Sequence, residues 1–408
     1  MLGRRDILRG AGSGLLLAGT MPRLAAAAGV PLVEGLPPGE YDTAVLDTLP
    51  GKKPLIKLAY RPPNYEAPLS YFTTEITPND EFFVRYHLAD IPETIDPQKW
   101  RLRVGGEAAA SPLELGLSDL QSGYEQVELT AVCQCSGNRR GLSDPHVPGV
   151  QWGVGAMGNA VWRGVRLKDV LAKAGLRGDA IELVLNGADG PVIDKTPDFV
   201  KSIPVWRALD ENTLLAHTMN GAPLPHFNGA PVRLIVPGWT ATYWMKHIIT
   251  IDAVTKPFEG FWMKSAYRIP IGKFPVIDRF MSQETAVNTP ITEIVVNSLI
   301  TAPANPHHQK AGQAVEVKGI AWDGGYGIVR VEISSDGGNS WRDAELGKDS
   351  GRFSFRPWSF RFVPERAGTY KVIAKASNRV GQTQADQLIF NPAGYHNNVP
   401  RPVTIIAA

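Results

Sequence analysis

Cysteine is nearly absent from this chain: there are 2 in 408 residues. Both fall in one stretch, CQCSGNRR, as Cys133 and Cys135. A scaffold stapled by disulfides is thereby excluded, and a bridge between cysteines one residue apart would close a strained ring. Net charge is scarce too. The 42 Lys+Arg and 40 Asp+Glu leave +2, which argues against a nucleic-acid partner while leaving room for a local basic pocket. No internal apolar run is long enough to cross a bilayer, so no membrane span is expected. The haem-attachment motif C-x-x-C-H is missing, so no covalent haem is expected on this chain.

What is abundant is punctuation. With 33 Pro and 41 Gly, the composition suits many short strands joined by turns better than long helices. At the N-terminus, Arg4 and Arg5 precede a modest apolar run and then Ala25–Ala28. A charged start, a short apolar stretch and small residues at the end form an export signal, here over residues 1–29. The paired arginines resemble a twin-arginine signal, which implies a periplasmic destination and a cofactor inserted before export.

The remainder divides by texture. Residues 30–71 read as an extended arm rich in proline. From there to about 270 the pattern is α+β, within a first domain taken as 30–288, with strands in EFFVRYHL, VELTAVCQC, IELVLNG and PVRLIVPG and a helix in RLKDVLAKAG (166–175). No repeated βαβ rhythm appears, so a nucleotide-binding fold is not supported. Residues 289–408 change to short alternating strands. In GIVRVEISSDGGNSW the spacing predicts that Val329, Val331 and Ile333 share one face, with Arg330 and Glu332 on the other. The DGG that follows supplies positions for a hairpin turn. This spacing predicts a β-sandwich of immunoglobulin type.

Cys135 stands where a β-branched run ends and Gly137-Asn138 turns the chain, at the rim of a sheet. Arg139 and Arg140 would favour a thiolate and grip an anion by forked hydrogen bonds; the bland alternative is a buried cysteine beside surface arginines. In TPNDEFFVRYHL, Arg85 and His87 fall on one face of a strand. They read either as an anion or cofactor contact or as the polar face of a half-buried strand.

These residues carry a resemblance. CSGNRR closely matches the cysteine loop of the sulfite oxidase family of molybdenum enzymes, FFVRYHL resembles its Arg-x-His strand, and VEISSDGGNSW resembles its dimerisation domain. The motifs stand in the family's order across nearly all of the chain beyond the signal. The resemblance implies a molybdenum–molybdopterin cofactor with Cys135 as the single protein ligand to the metal and Cys133 as a packed bystander. Arg85 and Arg140 would hold the sulfite anion, with Trp152 lining the pocket and Arg401 as a further substrate arginine. Guanidinium groups suit an oxyanion because their charge is permanent and planar. Tyr267 matches the active-site tyrosine and would serve proton flow. The implied pterin contacts are Arg85, Tyr86, His87, Asp189, Asn228, Arg233 and Lys246. At one of them relatives carry histidine where this chain has Asn228, with His226 two residues earlier.

The activity implied is oxidation of sulfite to sulfate by oxygen-atom transfer. Electrons would leave to a separate c-type cytochrome, docked transiently or held as a subunit, and the C-terminal domain would support a homodimer. The rival within the same family is the molybdenum subunit of a thiosulfate-oxidising complex, which acts on protein-bound sulfur.

Overall fold

The computed structural model describes residues 45–408, so the export signal read at 1–29 lies outside the described residues. Four sheets build the first unit, one of them only the pair Arg268–Pro270 and Asn288–Pro290, and few α-helices accompany them: Leu117–Gly123, Leu167–Lys173, Val205–Ala208 and Phe261–Lys264, of four to seven residues. The strand Val127–Gln134 is half-exposed at its start and buried over its last four residues, so it delivers the cysteine loop into the core. It pairs antiparallel with Met157–Arg166, placing Cys133 opposite Gly158. That sheet continues through Leu214–Met219 to Arg233–Ile235.

A five-stranded sheet runs in the order Lys201–Pro204, Glu182–Gly187, Ile248–Val254, Leu102–Gly105, Leu113–Leu115. Only the pairing of Ile248–Val254 with Leu102–Gly105 is parallel. Between the sheets lies one large apolar core that includes Trp152, Trp162, Trp239 and Trp244. Each large apolar side chain buried in this way contributes roughly 1.5–3 kcal/mol.

Several local expectations change. The stretch read as an extended arm forms strands from residue 45 onward: Val45–Asp47, Leu55–Ala59 and Asn64–Glu66, joined by Val84–Arg85 in a four-stranded antiparallel sheet. Backbone hydrogen bonding, not side-chain period, organises it. The strand read over EFFVRYHL shrinks to Val84–Arg85, because its apolar residues Phe82 and Phe83 pack into the core instead of continuing a ladder. The helix expected at 166–175 covers Leu167–Lys173, stopped by Gly175 at φ 65°. One G-x-G-x-x-G spacing does occur, at Gly153, Gly155 and Gly158. It runs into a strand rather than a helix, and a Cβ on Gly158 would lie 2.4 Å from the Phe82 ring.

The second unit is all-β. One sheet holds Asn297–Ala302, Val315–Trp322, Arg356–Phe362 and Glu345–Leu346; the other holds His307–Gln309, Val403–Ala407, Gly368–Asn378, Ile328–Ser334 and Arg342–Asp343. Their apolar faces form one cluster that includes Val317, Val331, Ile333, Trp358, Val372 and Ile405. Val329 does not join Val331 and Ile333: it is 48% exposed. A register shift between Ile328 and Arg330 inserts one residue, so the alternation restarts and Ile328 takes the inward place.

Candidate active site

The turn after the cysteine strand is built by its own hydrogen bonds. The Asn138 amide donates to Cys135 O at 3.0 Å and the Arg140 amide to Gly137 O at 2.9 Å. The Asn138 side-chain oxygen accepts from the Ala156 amide at 3.1 Å, which fixes the loop against the neighbouring segment. Cys135 thereby faces a pocket whose walls also carry Arg85, His87, Ser136, Asp189, Arg233, Lys246 and Tyr267. Seven residues singled out from the sequence converge here from six segments of the chain. Phe83, Phe199 and Trp244 complete the apolar wall.

The electrostatics of this pocket are one-sided. Arg85 Nη1 donates to Asn64 Oδ1 at 3.0 Å and to the Tyr86 carbonyl. Arg233 donates to Asn228 O at 3.2 Å and to Cys133 Sγ at 3.3 Å. Lys246 Nζ donates to Arg85 O at 2.8 Å and lies 4.0 Å from the centre of the Tyr86 ring. Asp189 is the one carboxylate in the wall. Burial pushes Lys246 down to about 8, against the opposing pull of Asp189, and pushes the Asp189 carboxyl up. Three cations around one buried carboxylate are costly to hold without an anion between them.

His87 stacks on Phe199 with ring centres 3.6 Å apart, and its Nε2 pairs with the Tyr267 hydroxyl. Burial, then Arg85, holds the imidazole well below its ordinary pKa, and burial raises the Tyr267 phenol. Tyr267 itself sits at φ 60°, a left-handed conformation that a bulky residue adopts only where its surroundings impose it.

The donor set fits a molybdenum–pterin group. Nε of Arg85, Nε of Arg233 and Ser136 Oγ are buried without a hydrogen-bond partner. Among the described residues no three His, Cys, Asp or Glu cluster to hold a metal ion. A metal held here by Cys135 would therefore bring its other ligands with it, as a dithiolene does. Arg233 and Lys246 would meet a phosphate, and Asp189 the amino groups of a pterin.

Six other residues read from the sequence lie outside the pocket wall. Tyr86 is buried behind it, its hydroxyl 2.7 Å from His247 Nε2. Asn228 is turned away because its side-chain oxygen accepts from Lys52 Nζ at 2.6 Å, while its backbone oxygen supports Arg233. His226 stands beside His247, 5.1 Å between ring centres. Trp152 is fully buried in the core with Nε1 unpartnered. Arg140 donates from Nε to Ala393 O at 2.7 Å and from Nη1 to Val150 O at 3.1 Å, and lies 5.4 Å from the centre of the Tyr395 ring. It stands behind the pocket, though its charge acts on both His87 and Tyr267. Arg401 is elsewhere: it lines a separate cavity with Ser298, Ile300 and Lys371. The tail passes the site at Ala393–Tyr395 and has moved on by residue 401.

Sequence reasoning missed Tyr395, Lys201 and His247. Tyr395 stacks on Tyr267 at 5.5 Å and 14°. Lys201 lies 5.0 Å from the centre of the Tyr267 ring. A lone lysine inside the apolar run DFVKSIP was the available signal for the second. Cys133 is more than a bystander, since its sulfur accepts from Arg233; burial raises its thiol and Arg233 opposes.

Two family models match the chain: the oxidoreductase molybdopterin binding domain over residues 87–262 and the Mo-co oxidoreductase dimerisation domain over 288–407. The mitochondrial sulfite oxidase of Rattus norvegicus is 33% identical over 365 residues, covering 86% of this chain and 65% of that protein. This chain thus spans about two thirds of the rat protein's length. The sulfite oxidase of Arabidopsis thaliana is 30% identical over 385 residues, covering 88% of this chain and 95% of the plant protein. Among solved structures, the sulfane dehydrogenase SoxCD from Paracoccus pantotrophus matches with a TM-score of 0.73 at 23% identity, over 91% of this chain and 90% of that one. The last likeness speaks to the fold alone.

Proposed function

The chain belongs to the sulfite oxidase family of molybdopterin oxidoreductases, and on that premise we propose that it oxidises free sulfite to sulfate and hands the electrons to a separate c-type cytochrome. Its cofactor is a molybdenum–molybdopterin group. The observation that carries the substrate reading is the gathering of Arg85, Arg233 and Lys246 around one carboxylate and one thiol in a buried pocket. Such a pocket suits two anions, the phosphate of the cofactor and a small oxyanion.

When bound, the molybdenum group supplies two-electron redox chemistry and exchange of an oxygen atom with water. The chain supplies the rest. Cys135 offers a soft sulfur ligand. Arg85, with Nε still unpartnered, holds the oxyanion, and the field of Arg140 reinforces it from behind. Both charges are set before substrate arrives, so no reorganisation is needed at the moment of reaction. The Tyr267 hydroxyl and His87 Nε2 hold a proton between them and pass it on as the charge of the site changes. Phe83, Phe199 and Trp244 limit water, which strengthens each of these interactions.

In this reading the chain works in the periplasm after export by the twin-arginine route, and the C-terminal unit, as an immunoglobulin-like sandwich, pairs two copies or seats a cytochrome subunit. Replacing Arg4 and Arg5 together by lysine is expected to strand the protein in the cytoplasm, read by cell fractionation.

The central test is sulfite-dependent reduction of ferricyanide and of a c-type cytochrome by the purified, molybdenum-loaded chain. Wild type is expected to reduce both, and Cys135→Ser neither. Activity retained in that variant would remove the ligand assignment. A chain inert toward free sulfite yet active on a protein-bound sulfur would replace the substrate reading.

A further inference from the structure

Lys201 opens the edge strand Lys201–Pro204 and is 0% exposed. Its Nζ donates to the Trp262 carbonyl at 2.6 Å and lies 4.7 Å and 5.0 Å from the ring centres of Tyr243 and Tyr267. Among the described residues it makes no ion pair with a carboxylate. Its charged neighbour is Arg268, whose guanidinium already donates to Met263 O, Gln283 O and Asn288. The Tyr243 hydroxyl is committed to Ile291 O at 2.6 Å. A buried amine with one hydrogen bond and two ring faces costs stability compared with an apolar residue of the same length. Burial accordingly holds its pKa well below the ordinary lysine value. Packing alone does not account for a lysine here.

The ring it touches belongs to the proton-handling pair. Tyr267 has Tyr395 stacked at 5.5 Å, His87 on its hydroxyl and the Lys201 amine near its ring. His87 counts Lys201 among its basic neighbours, after Arg85 and Lys246 and before Arg140. We propose that Lys201 is a positioning residue for Tyr267 and His87, its amine, tied to the Trp262 carbonyl, fixing the Tyr267 ring so that the phenol meets the imidazole. The inference rests on the oxidase reading above, because it assigns that pair to the proton step.

Since Arg85 holds the oxyanion and Lys201 does not line the pocket, removing the Lys201 amine should separate binding from turnover. In Lys201→Met and Lys201→Gln, kcat for sulfite should fall by about tenfold or more while KM stays within about threefold. Gln keeps a donor for the Trp262 carbonyl, so it carries the test should the Met variant fail to fold, with thermal melting as the check. In a Tyr267→Phe background either change should lower kcat by no more than about twofold, because residues acting through one another are not additive. Full kcat in the Gln variant, or losses that multiply with Tyr267→Phe, would overturn the proposal. A wild-type chain inert toward sulfite would instead overturn the substrate reading, so the two failures are distinct.

Discussion

Gly137 decides where Arg140 can lie. A Cβ on residue 137 would fall 2.6 Å from the guanidinium carbon, and a Cβ on Gly149 or Gly394 would crowd the same side chain. The neighbour that must yield is the far end of a flexible side chain, so Gly137→Ala should change stability by less than about 1 kcal/mol. It should nonetheless displace the charge behind Tyr267 and raise KM for sulfite by about tenfold, measured against thermal melting of the same protein. The glycine was legible in CSGNRR as a turn residue. That it also makes room for an arginine was not, since Gly149 comes from the following loop and Gly394 from the far end of the chain. Asn228 teaches the converse lesson: its place in the chain suggested a cofactor contact, and Lys52, far away in sequence, claims its side chain.

Among the elements, the cysteine loop joins the two units. Arg139, at φ 67°, sends Nη2 to Ser298 O at 2.7 Å in the first strand of the second unit, and Nη1 to Val399 O at 3.4 Å. Its backbone oxygen accepts from Asn397 Nδ2 at 3.1 Å. Of the two adjacent arginines, one therefore ties the loop to the sandwich and the other stands behind the pocket. Arg139→Met would strand the buried Ser298 carbonyl and loosen the half-buried one of Val399, and a loss of about 1–3 kcal/mol is expected in a denaturant melt. The two-residue strand Val84–Arg85 makes a related point. Its side-chain period was read over too long a run, yet Arg85 and His87 reach one pocket because Phe82 and Phe83 anchor the segment in the core.

For the molecule as a whole, buried neutral histidines set the response to acid. Burial pushes His247 and His396 down to about 3 from an ordinary 6.5. The unfolded chain takes up these protons near 6.5, whereas the folded protein refuses them until about 3. Stability is therefore complete above 6.5, declines as pH falls through that window and levels off below it. Each imidazole contributes about 1.4 kcal/mol per pH unit at most. The melting temperature should fall steadily from pH 6.5 to 4. In Tyr86→Phe, which removes the partner of His247 Nε2, the fall should begin from a lower value. The C-terminal segment belongs to this scale as well, because residues 393–398 lie between two strands of the sandwich, Gly368–Asn378 and Val403–Ala407, yet pack against the first unit through Ala393, Tyr395 and Asn397.

What the sequence determined by itself was local chemistry and order. A thiol at a strand end, a turn and two arginines spell out a cysteine loop, alternation with turn residues announces strands, and motifs in a fixed order assign a family. Each of these signals spans only a few neighbouring residues, so it survives without coordinates. Tertiary structure alone decided which side chains share the pocket. It kept Arg85, His87, Asp189, Arg233, Lys246 and Tyr267 around Cys135, set Arg140 behind them and placed Arg401 by another cavity. It also buried Lys201 against Tyr267. The physical reason is that charge and burial are sums over every segment that packs at a point, and no single segment carries that sum.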